Sequence, residues 1–224
     1  MTSDRNTAPD RTAPGRATAG HGDTPARPAA PDRPATLDRR TVLADAAVAV
    51  LADAGMRGLT HRAVDARAGL PAGTTSAYFR TRQALLTALV RRLVVLDQAE
   101  LQAEGERVPP PRSVAELTGA LAAFTRRRLT GQGRERTLAR YACAVESVRH
   151  PELREILTPR ENAARDVMRD FLARQGVADP GARTLTLLAC VDGLVFDRLV
   201  GGGQVSEEEI ASLVTAAVQG PQGG

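Results

Sequence analysis

From Val42 onward, apolar side chains recur every three or four residues and nowhere alternate in the two-residue rhythm of a strand, so the chain is confined to an all-α fold. Val42, Leu43, Ala46, Ala47, Val50, Leu51 and Ala54 set the first helix, and Gly55 is its natural stop. Thr60 offers an N-cap to a second helix through residue 68, closed by Gly69. After a turn over 70–73, residues 74–79 make a short third helix. Thr81 caps a long fourth helix through residue 102, and Pro109, Pro110 and Pro111 end its register. Ser113 with Glu116 reads as a capping box for a helix through residue 129, followed by helices over 134–149 and, from Pro151, over 152–175 with a break or kink near Pro159. A helix over 182–200 and a last one opened by Ser206 and Glu207, Glu208 and Glu209 complete the series.

What fills such a core follows from composition. Hydrophobic residues make up 42% but aromatics only 3%, with no Trp, so packing rests on Ala, Leu and Val, which suits helices. At 224 residues the chain has room for one or two domains. Thirty basic residues, all arginine, exceed 26 acidic ones, a mild excess that permits nucleic-acid binding without requiring it. Cys143 and Cys190 lie far apart outside any C-x-x-C pair, which predicts reduced thiols. His21, His61 and His150 are too dispersed for a metal cluster, and neither a nucleophile elbow nor paired catalytic carboxylates are present. No cofactor is expected. Without a long apolar run or a signal-peptide centre, the expected location is the cytoplasm, away from membranes.

Three segments follow. Residues 1–36 carry only alanine, proline and Met1 as apolar side chains and are expected to be a disordered tail. It is either simply solvated or an arm whose Arg33, with Arg39 and Arg40, reaches a DNA minor groove. Residues 37–82 form a three-helix module, and residues 83–220 a larger helical domain.

Two short helices joined through Gly69 and Leu70, with a third packed across them, are the helix-turn-helix arrangement, in which the second member enters a major groove. The stretch Leu59-Thr-His-Arg-Ala-Val-Asp-Ala-Arg-Ala-Gly-Leu-Pro-Ala-Gly-Thr-Thr-Ser-Ala-Tyr-Phe-Arg-Thr-Arg-Gln-Ala-Leu-Leu86 resembles the DNA-binding signature of the tetracycline-repressor (TetR) family, and the likeness extends back to Leu37. The resemblance implies duplex contacts from Thr60, His61, Arg62, Ala72, Gly73, Thr74, Thr75, Ser76 and Ala77, with Tyr78 and Arg82 holding phosphates. These residue types suit the work: arginine grips guanine O6 and N7, while hydroxyls donate or accept and threonine methyls touch thymine methyls. Thr75 and Ser76 stand where the family commonly has leucine and tyrosine, so the tyrosine contact is lost. A phosphate-binding loop over 69–75 fails as a rival, because it lacks one residue between its glycines and the lysine that must follow.

For the C-terminal domain the resemblance is one of architecture. It implies a homodimer that binds palindromic operator DNA as a repressor and is released by a mostly apolar small-molecule effector. Residues 160–175 and 182–200 are the expected seam, with Val191 and Val195 as its test positions and Gly193 either allowing close approach or merely tolerated. Phe124, Tyr141, Met168, Phe171 and Phe196 are the bulky candidates for an effector site, with Glu146 and Asp192 as polar anchors; ordinary packing is the competing role for each. A helical enzyme or a protein-interaction module is the competing class of function.

Overall fold

The computed structural model describes residues 38–157 and 163–219, and every regular element among them is helical. α1 (Arg39–Gly58), α2 (His61–Arg67) and α3 (Thr74–Tyr78) form the N-terminal trio, and α4 (Arg82–Arg107) leads out of it. α5 (Val114–Leu129), α6 (Gly131–Ser147), α7 (Pro151–Leu157), α8 (Ala163–Arg174), α9 (Pro180–Gly201) and α10 (Glu207–Gln219) follow. The expected tail and the expected break near Pro159 lie outside the described residues.

The caps read from sequence are in place. Thr60 accepts from the amide of Ala63 at 3.1 Å, Thr81 from Ala84 at 3.0 Å, and Ser113 from Glu116 at 3.2 Å. Ser206 and Glu209 exchange bonds in a closed capping box, with the Glu209 amide 3.1 Å from the Ser206 hydroxyl and the Ser206 amide 2.9 Å from the Glu209 carboxylate. Gly55 leaves the helical region at φ 65°, as a stop should, but one further turn continues to Gly58. α4 outruns its expected end at residue 102 and reaches Arg107, just before the prolines. α6 starts at Gly131 instead of 134, and there a Cβ on Gly133 would meet the Arg127 carbonyl oxygen at 1.9 Å, so only glycine fits this close turn against α5.

Apolar packing makes two cores. The first joins Leu43, Leu51, Leu59, Val64, Phe79, Leu85 and Leu89 to Ala139, Cys143, Leu153 and Leu157, so it runs from the N-terminal trio through α4 into α6 and α7. The second gathers Leu117, Leu121, Met168, Phe171, Leu172, Leu187, Val191, Ile210 and Val214 from α5, α8, α9 and α10. Beyond Leu93, α4 changes character. Its Asp97 pairs with Arg140 at 2.6 Å, its Glu100 with Arg136 at 2.6 Å and Arg127 at 3.3 Å, and its Glu104 with Arg127 at 3.2 Å.

One expectation is corrected here. Val191 and Val195 are each 1% exposed and belong to the subunit's own interior, because they lie on the face of α9 turned toward its neighbours. The face of α9 left open carries Leu185 (53% exposed), Ala189, Gly193 and Val200 (74%), and the adjacent Val167 of α8 is also exposed. No helix among the described residues is long and apolar enough to cross a membrane.

Candidate nucleic-acid interface

With five residues, α3 is too short to persist alone, and its cap position is Gly73, which has no side chain to satisfy the first amides. Asp65 of α2 does that work from across the turn. Only 3% exposed, its carboxylate accepts the Gly73 amide at 2.8 Å and the Thr75 amide at 2.6 Å, and it takes the Thr75 hydroxyl as well. Burial pushes this carboxyl up, but the bonds from Thr75 and Gly73, aided by His61, outweigh it and hold the group below the ordinary aspartate range. Gly73 itself sits at φ 92°, a left-handed conformation that glycine adopts without strain.

Other side chains hold the end of α3 and the turn behind it. His61 donates from Nε2 to the Phe79 carbonyl at 2.7 Å. The Arg40 guanidinium lies over the rings of Phe79 and Tyr78, 5.4 and 5.8 Å from their centres. Arg82 donates through its two terminal nitrogens to the carbonyls of Met56 and Leu59, closing the extra turn after Gly55.

This scaffold turns most of the expected contact residues outward. Thr60, Arg62, Ala72, Gly73, Ser76, Ala77 and Tyr78 are exposed, and Thr74 is half-buried with its hydroxyl donating to the Pro71 carbonyl at 2.6 Å. Among the described residues Arg62 has no hydrogen-bond or ion-pair partner, so its guanidinium is free for a ligand. Thr75 is a correction: it is fully buried and committed to Asp65, and cannot meet a duplex. His61 is half-buried and turned to Phe79, and Arg82, although exposed, acts first as a brace.

Asp65 and the stacking role of Arg40 are additions to what the sequence suggested. A signal for the first was available. An aspartate beside Val64 on the inward side of α2, together with a threonine at a position expected to be leucine, is a polar pair replacing an apolar one.

The residues singled out for an effector are only partly brought together. The Tyr141 hydroxyl donates to the Asp192 carboxylate at 2.8 Å, and its ring meets Phe196 edge-on at 5.4 Å. Burial first, then this bond and the charge of Asp192, push the tyrosine well above its ordinary range, so it remains a neutral donor. Phe124 lies under the Arg128 guanidinium at 5.4 Å. Phe171 is fully buried and Met168 is 6% exposed, both within the second core, while Glu146 faces His150 at 3.3 Å.

Comparison with known proteins agrees with this arrangement at both ends. Residues 43–89 match the family described as bacterial regulatory proteins, tetR family, and residues 112–220 match the tetracyclin repressor-like C-terminal domain. No protein of curated function matches in sequence. Among solved structures, the multidrug binding protein EbrR complexed with ethidium is 27% identical, with 81% of this chain and 98% of that one covered and a TM-score of 0.58. A TetR-family member from Streptomyces coelicolor A3 is 26% identical over 80% of this chain and 98% of its own, at a TM-score of 0.60. A transcriptional regulator from Rhodococcus sp. Rha1 is 25% identical over 81% and 94%, at 0.65. The chain, with its helix-turn-helix and helical C-terminal domain, belongs to the TetR family of bacterial regulatory proteins.

Proposed function

We propose that this regulator is a homodimeric repressor that reads a palindromic operator through Arg62 and the outer face of α3, and that a small molecule bound in its C-terminal domain releases the DNA. The observation that carries the reading is the division of α3 into two sides. Thr75 is locked inward by Asp65, while Ser76, Ala77, Tyr78 and Arg62, the last without a partner among the described residues, face solvent. Residues 37–82 are the reading head and residues 83–220 the dimerisation and effector body.

A second copy is the simplest cover for Leu185, Ala189, Gly193 and Val200 of α9 with Val167 of α8, apolar or small groups left open to water. A two-fold pair presents two copies of α3, and consecutive major grooves lie roughly 34 Å apart on one side of a duplex, so the operator is an inverted repeat. Effector control follows by likeness to the multidrug binding relative. The route for it is the first core, which packs the reading head against α4, α6 and α7 without interruption.

The test is to sequence the DNA that the purified protein retains from sheared genomic fragments. An inverted repeat shared by the retained fragments supports the reading, and retention without any shared sequence overturns it. Light scattering at micromolar concentration must give twice the mass of one chain.

A further inference from the structure

Where α3 ends, the start of α1 lies against it, and this brings Arg40 onto Tyr78 and Phe79. Arg40 stands in the first turn of α1, which holds no acidic residue. A cation there meets the positive end of the helix dipole, so its charge does not serve α1. What holds the side chain is aromatic: the guanidinium lies 5.4 Å from the centre of the Phe79 ring and 5.8 Å from that of Tyr78. Such a contact uses the charge and leaves the N–H donors, and none of the five is bonded among the described residues. Arg40 therefore presents an uncompensated charge at a fixed place on the exposed surface.

Beside it is a second unused donor. Tyr78 is 38% exposed, and its hydroxyl has no hydrogen-bond partner among the described residues. Arg82, the arginine expected to hold a phosphate with it, is turned instead to the carbonyls of Met56 and Leu59. A guanidinium fork and a phenol O–H that touch each other, with no carboxylate paired to either, suit an oxyanion that offers several acceptors at once. Because the rings already hold Arg40, less side-chain freedom is lost on binding than a loose arginine gives up. Tyr78 directly follows Ser76 and Ala77, the outward residues of α3, so a duplex seated on that face brings its backbone to this cluster.

We propose that Arg40 and Tyr78 form a clamp for one backbone phosphate of duplex DNA in each half-site, Arg40 giving its charge and fork and Tyr78 its hydroxyl. The inference rests on the operator reading above and adds the residue that sets the register of α3 on the duplex. A guanidinium pinned on two rings is not part of a loose arm, so Arg40 is a phosphate ligand and not a reader of the minor groove.

The experiment is titration of the full chain with a duplex carrying the repeat retained from genomic fragments and with a scrambled duplex, each at several salt concentrations. Arg40→Gln, which keeps a polar stem without charge, should weaken both duplexes at least about tenfold at low salt and flatten the logarithmic salt slope by about two units per dimer, one for each phosphate let go. Arg40→Lys should keep the slope, which separates loss of charge from loss of fold. Replacing backbone phosphates one at a time by neutral methylphosphonate should uncover one linkage per half-site whose replacement weakens the unmodified protein but costs Arg40→Gln nothing further. Arg39→Ala removes the adjacent charge and should leave the cost of that linkage in full. An unchanged slope in Arg40→Gln, a loss confined to the preferred duplex, or the absence of any linkage whose cost vanishes with Arg40 each overturns the proposal. A slope flattened by Arg40→Gln in a protein that prefers no sequence keeps the clamp and defeats the operator reading; an unchanged slope, with discrimination lost in Arg62→Ala, does the reverse.

Discussion

Asp65 and Thr75 lie ten residues apart on different helices, yet one carboxylate oxygen accepts both the amide and the hydroxyl of the threonine. That oxygen fixes the rotation of α3 about its own axis. It thereby decides that Thr75 faces inward and that Ser76 and Ala77 face outward.

Asp65→Ala leaves two amides and a hydroxyl without their acceptor, and should destabilise the protein by about 3 kcal/mol in a urea titration. Thr75→Val keeps the shape and removes one donor, so its loss should be about 1 kcal/mol. Because both changes break the same contact, the double variant should lose less than their sum. Strict additivity would show that the pair does not act as a unit.

The same carboxylate makes stability depend on acid. Its folded-state value lies below the ordinary aspartate value of 3.8, so its contribution is complete above that range and disappears as pH falls through the lower folded value. Asp65→Asn removes this linkage. The variant should show a shallower fall of stability than the unmodified protein as pH drops from about 4 downward, read by circular dichroism in urea at each pH.

Arg62 and Arg82 should separate cleanly. Arg62→Ala should weaken binding to the preferred duplex by roughly 1–3 kcal/mol and relax preference at one base pair per half-site, with the melting temperature unmoved. Arg82→Ala strips the Met56 and Leu59 carbonyls of their donor, so it should lower the melting temperature and weaken preferred and scrambled duplexes by the same factor. The check is anisotropy titration of both duplexes beside a thermal melt. Equal effects of Arg62→Ala on the two duplexes would remove it from base reading.

On α9, burial sorts two kinds of arginine variant. Val191→Arg places a charge at a site 1% exposed and should prevent folding, whereas Leu185→Arg and Val200→Arg, at sites 53% and 74% exposed, should leave the helix content intact and halve the mass seen by light scattering. A folded, dimeric Leu185→Arg would place the seam elsewhere.

Thiol chemistry offers a simple check on the first core. Cys143 is buried and its thiol is pushed up to about 12, chiefly by burial, so an aromatic disulfide reagent should modify it only after urea unfolds the chain. Cys190 is exposed and should react in a Cys143→Ala variant under native conditions once the protein is dilute enough to be monomeric.

Much of the scaffold is legible because it is local. Thr60, Thr81, Ser113 and Ser206 each cap a helix within four residues of themselves, and such contacts are written in adjacent letters. Asp65 and Arg82 reach partners that only the folded chain brings near, and no spacing rule reveals them. For α9 the sequence is apolar nearly all round, so periodicity could not say that Val191 faces inward and Leu185 outward. Bulk points to Phe171 and Met168 as site residues, although bulk is also what a core selects.

The change of character along α4 has a bearing on how salt titrations of this regulator are interpreted. Its first half is bound by Leu85, Leu86, Leu89, Val90 and Leu93, which electrolyte leaves alone, but the second half is fastened by Asp97, Glu100 and Glu104 to arginines that electrolyte screens. Adding salt to displace DNA therefore also slackens the far end of the rod on which the reading head is mounted. The logarithmic slope of affinity against salt should be steeper than the number of phosphates touched, and swapping Glu100 for Gln should bring it back toward counterion release alone.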